Sequence, residues 1–310
     1  MIVISFLRLM EMLDYRACNI CPRACGVDRQ NGVKGFCGCG PLPRVAYAGL
    51  HLWEEPVISG AHGSGAVFFS GCGLRCVYCQ NHAISHTVCG QQYDAAALSR
   101  LFLELQAKGA HNINLVTPSP HVPVLADAIA LARKSGLAVP VVYNTSGYDA
   151  PDTLDRLDGL VDIYLPDLKY CSPEYGDQFS GAPDYFEHAS KAVLKMYGQV
   201  GTLRMDADGV AEKGLLIRHL VLPCSLSQTR GVLSFIADRL PKDTYISLMG
   251  QYFPAHRAKE YAPISRPLTE AEYGRAMEFC RSLGFSNVFV QSLASADSCY
   301  VPPFAVENDG

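Results

Sequence analysis

Apolar residues along this chain follow two alternating rhythms between about residues 65 and 290. Short apolar runs read as buried strands: Ala66-Val-Phe-Phe-Ser, Ile113-Asn-Leu-Val, Val139 to Tyr143, Val161 to Leu165, Leu215 to Leu222, Thr244 to Leu248 and Val288-Phe-Val. Between them the spacing changes to 3.6. Asp94 caps a run with Leu98, Leu101, Phe102 and Leu105 on one face, stopped by Gly109. Leu125, Ala128, Ile129 and Ala132 mark a second helix, closed by Gly136. Pro151 opens a short third, and Ala189, Val193 and Met196 mark a fourth. Thr269 with Glu272 forms a capping box ahead of Tyr273, Ala276, Met277 and Cys280. Strand and helix alternating over short connections predict a parallel sheet. Six or seven strands are fewer than a closed barrel needs. The fold class is therefore α/β, a partial (β/α)6-type TIM barrel, with a doubly wound sheet as the alternative.

Residues 15–45 break this pattern, being rich in Cys, Gly, Pro and Arg with little periodicity. The expected organisation is a cysteine-rich metal-binding segment at 1–64 and a barrel domain at 65–310. With 310 residues, 49% hydrophobic and 18% charged, the chain can bury a sizeable core. A net charge of −4 offers no footprint for nucleic acid. The apolar opening Met1-Ile-Val-Ile-Ser-Phe-Leu lacks a basic flank and is soon broken by Arg8 and Glu11, which makes it a poor signal peptide. No apolar run is long enough to span a bilayer. Thirteen cysteines in a long, enzyme-like chain suit a reducing cytoplasm with thiols kept for metal.

In a parallel α/β fold the site lies at the C-terminal ends of the strands. After the first strand comes Ser70-Gly-Cys-Gly-Leu-Arg-Cys-Val-Tyr-Cys, with Cys72, Cys76 and Cys79 spaced C-x3-C-x2-C. Cubane clusters are usually held by four thiolates. Three in one tight loop leave an iron open to a small molecule; a zinc loop is the plainer reading. After the next strands come Thr117-Pro-Ser-Pro-His, Asn144-Thr-Ser-Gly and Pro166-Asp-Leu-Lys. Arg218 and His219 interrupt an apolar strand, so one points inward, and an inward Arg suits a carboxylate. Gln251, Tyr252 and His256 follow the sixth strand as weaker substrate contacts. Glu54-Glu55-Pro56 reads by default as a solvated acidic turn, with a place facing the active site as the alternative. Upstream, Cys18, Cys21, Cys25, Cys37 and Cys39 offer five thiolates. Cys18, Cys21, Cys25 and Cys37 are the expected set around zinc or a second iron–sulfur cluster. The isolated Cys89, Cys171, Cys224, Cys280 and Cys299 read as packing.

The cysteine loop, with Tyr78 just before its last cysteine, resembles the signature of radical S-adenosylmethionine enzymes. Cys-Pro-Arg-Ala-Cys-Gly-Val-Asp-Arg at 21–29, Glu-Glu-Pro-Val-Ile-Ser-Gly at 54–60, Asn-Thr-Ser-Gly-Tyr, Pro-Asp-Leu-Lys-Tyr and Ile-Arg-His-Leu-Val-Leu-Pro extend the likeness over roughly 18–304. Together they look like the uncharacterised branch related to pyruvate formate-lyase activating enzymes. The resemblance implies a [4Fe–4S] cluster on Cys72, Cys76 and Cys79, with the methionyl amine and carboxylate of S-adenosylmethionine on the fourth iron. It implies Tyr78 at the adenine. Asn114, Thr117, Asn144, Ser146, Asp167, Lys169 and Arg218 are the expected contacts to the rest of that cofactor or to substrate. Flavodoxin or ferredoxin would reduce the cluster. The 5′-deoxyadenosyl radical formed by cleaving the cofactor would take hydrogen from a substrate, such as a glycine of a partner glycyl-radical enzyme. Two departures stand out: the Gly-Gly-Glu usual after the second strand is missing, and the extra cysteines precede the radical motif. A non-catalytic iron–sulfur electron carrier or metal-binding scaffold is the rival reading, and a zinc-ribbon interaction module on a degenerate barrel a weaker one.

Overall fold

The computed structural model describes residues 15–291 together with Leu293, Pro302 and Phe304. The apolar opening residues and Cys299 lie outside the described residues. The strands are β1 (Arg44–His51), β2 (Ser64–Phe69), β3 (Gln91–Gln92), β4 (Ile113–Val116), β5 (Val141–Thr145), β6 (Ile163–Pro166), β7 (Arg204–Met205), β8 (Ala211–Leu220), β9 (Tyr245–Met249) and β10 (Val288–Val290). The helices are α1 (Pro56–Ser59), α2 (His82–Ser85), α3 (Ala95–Ala107), α4 (Val122–Lys134), α5 (Pro151–Leu154), α6 (Pro173–Ser180), α7 (Tyr185–Val200), α8 (Thr229–Arg239) and α9 (Glu270–Ser282).

The strands form one sheet in the order β10-β9-β8-β6-β5-β4-β2-β1-β3. From β2 to β10 every neighbour on this path is parallel, which gives the expected partial barrel of β/α units. The sheet is not wholly parallel: β1, β3 and β7 pair antiparallel. The boundary expected at residue 64 falls on the first residue of β2, which pairs with β1 from Val45–Phe69 to His51–Ser64.

Alternation along the strands sorts side chains to two faces. Outward residues such as Leu115, Tyr143, Tyr164 and Ile217 pack in one cluster with Leu98, Ile129, Val193 and Ile236 from the helices. Inward residues form a smaller apolar cluster, Val142, Ile163, Leu165 and Leu216, which receives Val57 and Ile58 from α1. Asn112, just before β4, donates its Nδ2 to the Ile58 carbonyl at 2.7 Å, so α1 sits at the N-terminal ends of the strands. The base of the barrel is thus filled with apolar side chains, and the polar inward residues collect toward the other end. No helix among the described residues is long and apolar enough to cross a membrane.

Candidate active site

The cysteine loop leaves the end of β2 and is fixed by its backbone. Arg75 N donates to the Ser180 carbonyl at 3.0 Å and Val77 N to the Phe179 carbonyl at 2.9 Å. The C-terminal turn of α6 therefore clamps the loop on both sides of Cys76. From the opposite direction, Arg257 N donates to the Val77 carbonyl at 2.9 Å. Burial pushes the thiols of Cys72, Cys76 and Cys79 upward, Cys79 to about 11, and each of Cys72 and Cys79 also feels Cys76 beside it. Without metal these groups stay protonated; binding a cation displaces the protons.

Tyr78 is buried in the loop, its ring edge against Tyr252 at 6.0 Å between centroids and its hydroxyl 2.5 Å from that of Tyr170. Beside the loop, His82, His86 and His256 bring their rings together, with centroids 4.6 Å and 4.7 Å apart.

The interior near the cysteines holds one continuous ionic network. Arg218 points inward from β8. Its Nε donates to Asp167 Oδ1 at 2.9 Å, its Nη1 to Glu54 Oε1 at 2.9 Å and its Nη2 to Asn144 Oδ1 at 2.7 Å. Lys169 Nζ donates to Asp167 Oδ2 at 2.7 Å. Asn114 and Asn144 both donate their Nδ2 to Glu54 Oε2, at 3.1 Å and 2.7 Å. These charged side chains are 13–16% exposed, so they line the interior without being sealed in it. Burial works against the Asp167 charge, yet Arg218 and Lys169 hold its carboxyl below the usual range. His219 points the other way, 2.6 Å from the Leu168 carbonyl and 3.0 Å from Thr229 Oγ1, as a satisfied structural residue.

The acidic turn expected at 54–56 is not solvated. Glu54 enters the network, and Glu55 is 4% exposed with Oε2 lacking a partner. Burial pushes its carboxyl up to about 7 against the pull of Arg218. The reason is topological: α1 caps the barrel base, so the chain leaves solvent after Leu52 and Trp53 and the two residues ahead of the helix turn their side chains inward. Only the position of the pair just ahead of an apolar run hinted at this.

Thr117 follows β4 at a φ of 61°, in the left-handed region that a β-branched residue avoids. Such strain gathers at functional sites. Asn114 is buried with Oδ1 unpaired. Ser146 is half-buried, and its carbonyl accepts from Tyr185 at 2.8 Å. Tyr252 is a core residue bonded to the Ile264 carbonyl, and Gln251 reaches only Met249 Sδ at 3.9 Å.

Residues 15–43 hold one 3-10 turn, Tyr15–Ala17, and are otherwise turns and irregular chain. Arginines attach this segment to the barrel. Arg29 is buried and donates to Gly40 O and, at 2.8 Å, to Pro120 O. Arg23 Nε donates to Gly73 O in the cysteine loop at 2.9 Å while its guanidinium covers the Phe36 ring. Burial pushes the Cys21 thiol up to about 12, and the thiols of Cys37, Cys18 and Cys25 surround it closely enough to add to the shift. Cys39 turns instead toward the cysteine loop, with Sγ 3.4 Å from Ser70 O. Among the described residues, no three His, Cys, Asp or Glu side chains converge closely enough to bind a single metal ion. A cubane asks its thiolates to reach separate corners, and the three soft, neighbouring sulfurs of the loop, Cys76 buried and Cys72 and Cys79 half-buried, fit that requirement.

Residues 66–202 match the model of the radical SAM superfamily. An uncharacterised protein of Methanocaldococcus jannaschii is 28% identical over 287 residues, 89% of this chain and 77% of its own length. Streptococcus suis SuiB resembles the chain at 12% identity: bound to its precursor peptide SuiA it gives a TM-score of 0.51 over 73% of this chain and 48% of that one. Bound to S-adenosylmethionine, SuiB gives 0.50 over 73% and 49%. The chain thus spans about half the length of SuiB, and the likeness is one of fold. A domain of a pyruvate-formate lyase-activating enzyme from Bacteroides vulgatus is 16% identical with a TM-score of 0.40, over 56% of this chain and 92% of that one. The sequence match and the barrel with its cysteine loop at the end of β2 agree: the chain carries a radical SAM domain over residues 66–202.

Proposed function

We propose that this protein is a radical S-adenosylmethionine enzyme that generates a radical on a peptide or protein substrate. The observation that carries the reading is the thiol triad at the end of β2, Cys76 buried and Cys72 and Cys79 half-buried, beside the charged interior around Arg218. Cys72, Cys76 and Cys79 would hold a [4Fe–4S] cluster. Bound there, cluster and cofactor would supply reductive cleavage of S-adenosylmethionine to methionine and a 5′-deoxyadenosyl radical.

The chain's own part is to bind and orient. Asp167 uses one ammonium hydrogen of Lys169, which leaves donors for the methionyl carboxylate. The unpaired Oδ1 of Asn114 can accept from the methionyl amine, a role left open by the missing Gly-Gly-Glu. Arg218, braced by Glu54 and Asp167, fixes Asn144 for the ribose or carboxylate, with Ser146 and Thr117 beside it. Tyr78 offers its ring toward the adenine. The apolar base keeps water from the radical's surroundings. Cys18, Cys21, Cys25 and Cys37 form the second metal site, zinc or a cluster that passes electrons from flavodoxin or ferredoxin. The peptide-bound state of SuiB supports a peptide or protein substrate, and a glycine of a partner glycyl-radical enzyme is the specific candidate.

Anaerobic reconstitution with iron and sulfide, followed by S-adenosylmethionine and dithionite, should yield 5′-deoxyadenosine by mass spectrometry, and Cys76→Ala should abolish it. An intact cluster whose spectrum ignores S-adenosylmethionine would instead favour the electron-carrier reading. Metal analysis of the same sample, with and without the N-terminal cysteines, separates zinc from a second cluster.

A further inference from the structure

Each sulfur of the triad faces one donor from the surrounding chain. Ser180 Oγ lies 3.0 Å from Cys76 Sγ, Ser85 Oγ 3.2 Å from Cys79 Sγ, and Leu74 N donates to Cys72 Sγ at 3.4 Å. The two serines arrive from different elements. Ser180 ends α6 and is fully buried; Ser85 ends α2. Their placement is set by backbone. Arg75 N bonds to the carbonyl of Ser180 itself, and Ser85 N bonds to Asn81 O at 2.9 Å, two residues beyond Cys79.

Behind Ser180 the hydroxyls continue inward. Tyr170 Oη is 2.8 Å from Ser180 Oγ, and Tyr78 Oη is 2.5 Å from Tyr170 Oη. In isolation these hydrogens could point either way. A metal-bound thiolate removes the choice, because it can only accept. Ser180 must then donate to Cys76 Sγ, Tyr170 to Ser180 and Tyr78 to Tyr170, and dipoles aligned in this way strengthen one another.

We propose that Ser180 and Ser85 hydrogen-bond the cysteine sulfurs of the bound cluster and raise its reduction potential, with Tyr170 and Tyr78 polarising the Ser180 hydroxyl. The inference rests on reading the triad as cluster ligands. Donors to sulfur favour the reduced state, which carries more negative charge, and so make the cluster easier to reduce. Ser180, Ser85 and Tyr170 are positioning residues and touch no substrate.

The test is a redox titration of the anaerobically reconstituted full chain, following reduced-cluster EPR and visible absorbance, with iron and sulfide counted per chain. Ser180→Ala and Ser85→Ala should each shift the midpoint potential negative at unchanged iron content. Ser180→Thr keeps the hydroxyl and should restore the wild-type value. Tyr170→Phe should shift it the same way by less. Unshifted potentials in both alanine variants at full iron content overturn the inference. If Ser180→Ala fails to hold iron, Ser85→Ala and Tyr170→Phe decide, and no shift in either overturns it. A wild-type chain that takes up no iron overturns the cluster reading, a separate result.

Discussion

The two groups of cysteines lie against each other yet are held by different means. Cys72, Cys76 and Cys79 hang from a buried strand and are clamped by backbone bonds to the end of α6. The N-terminal thiols sit in a stretch almost without regular structure, attached through the side chains of Arg23 and Arg29 to carbonyls of the barrel. The two stretches touch through Arg23, whose Nε donates to Gly73 O at 2.9 Å, and Cys21 Sγ would stand 3.8 Å from a Cβ added to Gly73. The first site is thus a product of the fold, ready before any metal arrives. The second depends on a few cationic tethers, and the proposed metal at its thiols would be what completes it, as in small cysteine-rich segments.

The strongest way to break the comparison is to damage the framework side. Arg218→Met leaves Glu54 and Asp167 facing one another without their shared cation, and removing one partner from a buried ionic network costs about 3–5 kcal/mol. Urea unfolding should show that loss across the whole barrel, and Glu54→Gln in the same chain should recover part of it. An Arg218→Met protein with wild-type stability would mean the interior is not preorganised.

Glu55 gives the next largest effect. Its folded carboxyl titrates near pH 7, above the ordinary carboxylate range, so the folded state binds a proton that the unfolded state has released. Its contribution is fully present below about pH 4.5 and is lost as pH rises toward 7, on the order of 2–3 kcal/mol. Glu55→Gln should flatten that slope in denaturation series run at several pH values; an unchanged slope would assign it to another group.

A smaller effect sharpens the N-terminal side. Arg29→Ala strips donors from the Gly40 and Pro120 carbonyls, at about 1–3 kcal/mol for a buried acceptor left unpaired. The expected result is faster tryptic cleavage at Arg23 and Lys34 with the barrel left intact. A chelator applied to the metal-loaded protein should have the same result. Simultaneous loss of the barrel would make the two regions one cooperative unit. The smallest change is Thr117→Gly, which relieves a left-handed β-branched residue and should alter stability by about 1 kcal/mol or less once the freer unfolded chain is counted. Calorimetry would detect it.

Periodicity made the barrel legible, because its parallel strands are buried on both faces and read as unbroken apolar runs. Alternation also required one of Arg218 and His219 to face inward, but in a run apolar on both faces it did not say which; the fold turns Arg218 in. β1 was hidden: Arg44-Val-Ala-Tyr-Ala-Gly-Leu-His is half-buried and has neither a clean alternation nor an apolar run. α8, Thr229–Arg239, escaped because its Gln228 cap is left-handed and makes no side-chain bond. Ser180 could not be found at all, and the partners of Glu54 could not be named. Glu54 and Ser180 meet Arg218 and Cys76 across 164 and 104 residues, and only the folded topology brings such positions together.

The filled base of the barrel has a consequence for the order of events. Ile58 is wholly buried among Val142, Ile163 and Leu216, so the interior is closed at its base and is entered from elsewhere. Whatever enters first must be the deeper occupant and must leave last. Under the proposed function, a small cofactor would load before a bulky polypeptide, which would then act as the stopper, and turnover would wait on the departure of that stopper.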